Sequence, residues 1–266
     1  MNTNDFKTRT EIIEEQSTCP EGYWVLGLDT GYSSVKGKSP NKRFAFPYYA
    51  KKVPEGRAFL REAEDSDIRY RDETGEWVVG KLAYDEVNAK EIVDSEQELT
   101  GRHRFFTDIF RVTTRTGIAL GLMPNKYGSC EDKHIMIEAG LPPKYINDAV
   151  DLREALCGKH DFEVKVGAGN WIKYSIELKE NDIQVMPQPL GSLVSASTNA
   201  NGRQSKTAIQ YWSGNVIVFD PGYGTLDTYI VKRGQVIGKG ETFPEYGMHE
   251  VFARTCRDIE KEFGLS

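Results

Sequence analysis

Two aspartate-led glycine turns are the residues best placed to do chemistry: Asp29-Thr30-Gly31-Tyr32-Ser33-Ser34-Val35-Lys36 and Asp220-Pro221-Gly222-Tyr223-Gly224-Thr225-Leu226-Asp227. They lie about 190 residues apart, and each follows an apolar run that reads as a buried strand, Trp24-Val25-Leu26-Gly27-Leu28 and then Val216-Ile217-Val218-Phe219. Glycine supplies backbone freedom and serine or threonine supplies hydroxyl donors, so consecutive N–H groups can converge on phosphate oxygens as an anion-binding nest. One such turn is usually only a corner between strands. Two matched copies, with Lys36 and Thr225 in register, read instead as a clamp on nucleotide phosphates whose aspartates face a metal ion.

The elements that must position these turns alternate between strands and helices. Val35 to Lys38 with Arg43 to Phe46, and Ile68 to Arg71 with Glu76 to Gly80, form two hairpins, the second closed by Asp72-Glu73-Thr74-Gly75. Helical spacing follows in Phe106, Ile109, Phe110 and Thr113 ahead of Gly121, and in Tyr145, Ala149, Leu152 and Leu156 ahead of Gly158 as a C-terminal cap. His134 to Gly140 reads as a buried strand entering a Gly-Leu-Pro-Pro turn. Asp161 to Val166 pairs with the alternating segment Trp171 to Leu178, and Ile183 to Met186 leads into Pro187-Gln188-Pro189. Past the second turn, Leu226 to Val231 and Gln235 to Lys239 fold around Arg233-Gly234, and a last helix from Gly247 uses Phe252, Cys256, Ile259 and Phe263 before its Gly264 cap.

Composition excludes several classes. No apolar stretch approaches the roughly 20 residues that span a bilayer, and residues 1–19 lack the apolar core of a secretory signal. Cytoplasmic residence without membrane insertion is expected. The net charge of −6 argues against direct nucleic-acid binding through the whole surface. The local basic run Arg102, His103, Arg104, Arg111 and Arg115 reads as a solvated helix face. Cys19, Cys130, Cys157 and Cys256 show no spacing of zinc ligands or redox dithiols and read as reduced thiols. His103, His134, His160 and His249 show no ligand spacing either and read as ordinary surface or core histidines. Gly37-Lys38-Ser39 imitates the end of a P-loop, but the required earlier glycine is Tyr32, and Lys38 continues a hairpin instead of opening a helix.

The pattern Asp-x-Gly-Tyr-Ser-x-x-Lys at 29–36, Val79-Gly80-Lys81-Leu82-Ala83, Gly140-Leu141-Pro142, Pro187-Gln188 and Asp-x-Gly-x-Gly-Thr-x-Asp at 220–227 resembles the bacterial and plasmid actin-like ATPases of the ParM/StbA type. The resemblance covers residues 23 to 266. Paired turns mark the wider actin, sugar-kinase and chaperone-ATPase superfamily, and the middle motifs point to the actin-like branch. It implies ATP or GTP and Mg²⁺ as cofactors. Gly31, Tyr32, Ser33, Ser34 and Lys36 would then hold phosphate from one side, and Gly222, Tyr223, Gly224 and Thr225 from the other. Asp29 and Asp220 would hold magnesium mostly through its waters. Gln188 matches the connector position that orients the attacking water, with Asp220 as its catalytic companion. Asp227 reads as a hairpin cap.

The expectation is therefore an α/β, actin-like (ribonuclease H-like), two-lobed ATPase fold. Residues 1–22 form a flexible arm, 23–195 lobe I, and 196–266 the start of an incomplete lobe II. The expected function is slow ATP hydrolysis coupled to self-assembly into filaments for plasmid or DNA segregation or intracellular positioning, with a DNA-binding adaptor as a further partner. A small-molecule kinase of the same superfamily and a non-hydrolysing nucleotide-dependent scaffold are the alternatives; no aspartate stands out as base for a hydroxyl substrate, whereas Gln188 suits water. Only 39 residues follow Asp227, too few for a full second lobe, so the chain reads as truncated or completed by association, with an unfinished base pocket and weak nucleotide binding alone.

Overall fold

The computed structural model describes residues 9–57, 59, 61–85, 102–199 and 201–264. Its contacts divide it into two compact units, one of residues 9–139 and 150–184, the other of 140–149 and 185–264. The division differs from a single boundary near 195. The chain leaves the first unit twice, within two of its strands, β8 (His134–Leu141) and β11 (Ile183–Pro187).

In the first unit, β2 (Tyr23–Thr30) alternates as the sequence predicts, with Trp24, Leu26, Leu28 and Thr30 buried. Burial of one face at the two-residue strand period fixes the register. It pairs antiparallel with β3 (Ser34–Ser39), which pairs with β4 (Lys42–Pro47). On its other side β2 runs parallel to β8 (His134–Leu141), and β11 (Ile183–Pro187) lies beyond. At the far edge is β1 (Glu11–Glu14), antiparallel to β4 with Ile12 opposite Phe44. These residues fall within the stretch read as a flexible arm. They form a strand because main-chain pairing to a free sheet edge requires no long apolar run. Residues 1–8 lie outside the described residues.

A second sheet, ordered β10-β9-β6-β7-β5, contains the two hairpins expected there. They are β6 (Ile68–Asp72) with β7 (Gly75–Val79), and β9 (Gly158–Val166) with β10 (Ile172–Leu178); β5 (Ala50–Lys52) pairs with β7. Helix α1 (Lys81–Asp85) follows β7.

Helix α2 (Asp108–Leu122) packs on β2, β3 and β4. Gly121, read as a helix end, lies inside it for a packing reason. A Cβ there would stand 2.5 Å from Leu26 Cδ1, and one at Gly117 2.8 Å from Leu28 Cδ1. The two glycines, one turn apart, let the helix backbone lie directly on the core face of β2. Trp24 Nε1 donates to the Gly121 carbonyl at 3.0 Å. The start is capped by Thr107, whose Oγ1 accepts from the Phe110 N–H and donates to the Arg104 carbonyl at 2.8 Å. At the other end the buried Lys42 ammonium donates to the Met123 carbonyl at 2.6 Å, and burial lowers its pKa to about 8. Helix α3 (Ala149–Leu156) buries Leu152 and Leu156, and Gly158 follows with φ 107°.

The second unit is built on an antiparallel sheet of β12 (Asn215–Pro221), β13 (Leu226–Lys232) and β14 (Gln235–Phe243). Tyr229 and Val231 turn inward with Leu193 of α4 (Gln188–Ser197). The strand before the second turn, read as buried, is half-buried: Ile217 and Phe219 are exposed while Val216 and Val218 pack against that cluster. An all-apolar run cannot announce which of its faces is covered. Helix α5 (Ala208–Ser213) precedes β12, and α6 (Met248–Phe263) closes the chain between N-cap Gly247 and left-handed Gly264. The last helix expected from the sequence is thus found. Among the described residues no helix is long and apolar enough to cross a membrane, and all four cysteines are free.

Candidate functional site

The first turn joins β2 to β3 in the first unit. Asp29 and Lys36 stand opposite each other across the hairpin, with Lys36 Nζ 3.9 Å from Asp29 Oδ2. Lys36 is 61 % and Asp29 38 % exposed in the side chain. An ion pair this long and this exposed contributes little, so the ammonium can turn to another anion at small cost. Gly31 lies close to the far side of the turn: a Cβ there would sit 3.2 Å from the Ser34 carbonyl oxygen. Ser33 is half-buried, but Ser34 is buried, so its amide rather than its hydroxyl is the group to consider.

The turn's carbonyls are taken up from behind. The Tyr48 N–H donates to the Ser33 carbonyl at 3.0 Å, and Arg104 Nη2 donates to the Thr30 carbonyl at 3.0 Å. In a trans peptide N–H and C=O point in opposite directions. Fixing the carbonyls of 30 and 33 therefore directs the amides of Gly31 and Ser34 to the other side. Arg104, read from sequence as part of a solvated helix face, is buried and lies 4.7 Å from the Tyr32 ring centre. A guanidinium contacting a turn 74 residues earlier leaves no local periodicity to find. The side chains of Arg102 and His103 lie outside the described residues.

The second turn joins β12 to β13 in the second unit, with Asp220 and Asp227 opposite each other. The Gly222 N–H donates to the Thr225 carbonyl at 2.8 Å and is spent closing the turn. Thr225 is buried, and its hydroxyl donates to Asp227 Oδ2 at 3.0 Å, so it supports the turn from within. Asp227 thus has the capping part expected of it. Burial pushes its carboxyl above the ordinary range; hydrogen bonds from Thr242 and Thr225 pull it back, and the charge of Asp220 adds to the rise. A raised acid favours the fold while protonated, fully at low pH, and that contribution is lost as pH rises through the raised value. Asp227→Asn is therefore expected to raise the thermal midpoint at pH 7 and to leave it nearly unchanged at pH 3, measured by circular dichroism.

Here too the carbonyls are held from behind, by helix α6. The Met248 N–H donates to the Gly222 carbonyl and the His249 N–H to the Tyr223 carbonyl, each at 3.0 Å; His249 Nδ1 reaches the latter at 2.8 Å. The trans amides of Tyr223 and Gly224 face away from the helix. His249, read as an ordinary histidine, is a support of this turn. Gly247 is the contact that allows it: a Cβ would lie 2.6 Å from the Gly224 carbonyl carbon. Its φ of −64° suits any residue, so the requirement is purely spatial. Gly247→Ala is expected to push α6 off the turn and destabilise the fold by about 1–3 kcal/mol, the usual effect of overpacking, read by urea denaturation.

Gln188 opens α4 directly after Pro187. A glutamine between two prolines reads from sequence as a polar connector; the structure makes it the first helical position. A Cβ on Gly140 would lie 2.8 Å from Gln188 Cγ, so the glycine of Gly140-Leu141-Pro142 leaves room for that side chain. Among the described residues no cluster of three or more potential metal ligands occurs. A lone carboxylate beside a turn suits magnesium only when phosphate oxygens and waters complete its shell.

The sheet order, the two hairpin turns and the helix-opening glutamine together define a fold of the actin-like class. Residues 27–191 match the family described as actin like proteins N terminal domain, more than half of the chain, and the chain belongs to that family. No protein of curated function matches its sequence. Similar solved structures include a non-polymerisable quadruple mutant of pCBH ParM, at TM-score 0.62 and 20 % identity, covering 91 % of this chain and 68 % of that one. The apo psk41 ParM protein is similar at TM-score 0.62 and 18 % identity, covering 92 % and 75 %. The AlfA filament from B. subtilis plasmid pLS32 is similar at TM-score 0.53 and 14 % identity, covering 89 % and 80 %. These are likenesses of fold.

Proposed function

We propose that the chain binds ATP or GTP with Mg²⁺ at its two turns, hydrolyses it slowly and assembles with copies of itself into filaments that segregate or position DNA. The observation that carries this reading is that in both turns main-chain carbonyls are bound by donors from outside the turn, which points the amides of those same peptides the other way, as an anion site requires. Assembly is supported by relatives of the same fold solved as filaments. A cytoplasmic location and a DNA-binding adaptor go with it.

In this reading the amides of Gly31, Tyr32, Ser33 and Ser34, with Lys36, hold phosphate at the first turn, and those of Tyr223 and Gly224 at the second. Gly222 and Thr225 keep the second turn in shape. Asp29 and Asp220 would hold magnesium mostly through its waters, and the ion, when bound, would neutralise phosphate charge. Gln188 orients water, in keeping with a reaction that depends on positioning and charge neutralisation.

Right-angle light scattering and phosphate release, followed together with MgATP, MgADP and no nucleotide, test it. Scattering that rises with MgATP and decays as phosphate appears is the expected result. Phosphate release only on addition of a sugar would instead make the protein a small-molecule kinase, and nucleotide binding with neither signal would make it a scaffold.

A further inference from the structure

Arg104 combines three features that stability alone does not explain. It is 6 % exposed, its Nη2 donates to the Thr30 carbonyl at 3.0 Å, and its Nη1 is buried with no hydrogen-bond partner among the described residues. Among those residues no carboxylate forms an ion pair with it. A buried guanidinium with one unmatched nitrogen destabilises a fold relative to an apolar side chain of similar volume. Its position is nonetheless fixed. Thr107 N–H and Oγ1 both donate to the Arg104 carbonyl, at 3.2 and 2.8 Å, and Thr107 caps the helix packed on β2 and β3. Tyr32, from the turn itself, lies over the guanidinium at 4.7 Å, and Phe105 lies near it at 5.1 Å.

We infer that Arg104 is a positioning residue for phosphate at the first turn, acting through the Thr30–Gly31 peptide and not by touching the ligand. The guanidinium holds the Thr30 carbonyl, so the Gly31 amide on the other side of the same trans peptide is fixed in direction. A charged donor on the carbonyl also polarises the peptide and strengthens that amide as a donor, as hydrogen bonds in series do. The aromatic ring of Tyr32 over the cation ties the next residue of the turn to the same anchor. Neither a neutral donor nor a flexible ammonium reproduces a planar fork under a ring. This inference rests on the reading of the first turn as a phosphate site.

The test uses the full chain as wild type, Arg104→Met and Arg104→Lys. Each is measured for thermal midpoint without ligand and by calorimetry for binding of MgATP and of magnesium tripolyphosphate. Arg104→Met keeps the stem and removes the buried charge. It is expected to keep or raise the midpoint while weakening both ligands about tenfold, the value of one hydrogen bond to a charged group; Arg104→Lys should fall between. A purely structural arginine would give the reverse, a lowered midpoint with affinity unchanged, and that outcome overturns the inference. So does unchanged affinity at an unchanged midpoint. If Arg104→Met does not fold, Arg104→Lys decides alone, by weaker binding or by wild-type binding. Failure of the wild type to bind either ligand sinks the phosphate reading itself, and this inference with it.

Discussion

Asp220→Ala is expected to abolish magnesium-dependent ATP hydrolysis, whereas Lys36→Ala chiefly weakens affinity for the triphosphate. Asp220 is the next-to-last residue of β12, beside the second turn, and its carboxylate is an acceptor for metal-bound water. Lys36 has no such capacity and offers only a mobile positive charge, held loosely at 3.9 Å from Asp29. Loss of a hydrogen bond to a charged group costs about 1.5–3 kcal/mol. For Asp220 that loss falls on turnover, and for Lys36 on binding. Phosphate-release kinetics over a range of magnesium, beside calorimetric titration of each variant, separate the two. If both variants bind and hydrolyse like the wild type, neither turn holds phosphate. Loss of Asp220 also removes a charge that raises Asp227, so the Asp220→Ala fold should not suffer, and its midpoint serves as an internal control.

Much of this arrangement is legible in the sequence because the strands follow local rules. The alternation of Trp24, Leu26 and Leu28, and turn residues such as Asp72-Glu73-Thr74-Gly75, reflect interactions between near neighbours along the chain. What the sequence hides is whatever depends on a distant partner. Strand β1 exists because β4 offers it an edge, and its own Glu11-Ile12-Ile13-Glu14 carries too few apolar residues to show it. Gly121 looks like a stop signal, yet its role is to let α2 approach Leu26. Arg104 looks like part of a solvated helix face and His249 like an ordinary histidine, and both turn out to support a turn.

The two turns share one principle with different parts. In the first, a buried guanidinium and the Tyr48 amide hold the carbonyls; in the second, the first amides of α6 do so. A helix N-terminus presents unsatisfied N–H groups in any case, and here those of Met248 and His249 are consumed by the turn. At the first turn a side chain, that of Arg104, takes part of this work. That difference gives a physical reason for a charged residue at 104 and a glycine at 247.

Gln188→Ala is expected to slow phosphate release far more than it weakens nucleotide binding, by on the order of 10²-fold in turnover, the low end for a group that assists water attack. Gln188 sits at the first turn of α4, where backbone geometry is fixed by Pro187 and Pro189 on either side, and Gly140 clears the space its side chain occupies. A side chain so placed is held by the fold before any ligand arrives, which is what a water-positioning group requires. An interaction made only in the transition state lowers kcat and kcat/KM together and leaves ground-state affinity intact. Filaments, where they form, should then outlast those of the wild type, because their nucleotide is consumed more slowly. Single-turnover phosphate release and calorimetric affinity, measured on Gln188→Ala and on Gln188→Glu, read the two quantities separately. Equal losses of binding and turnover in Gln188→Ala would make Gln188 a ground-state contact. A fall in thermal midpoint with turnover unchanged would make it only the opening residue of α4.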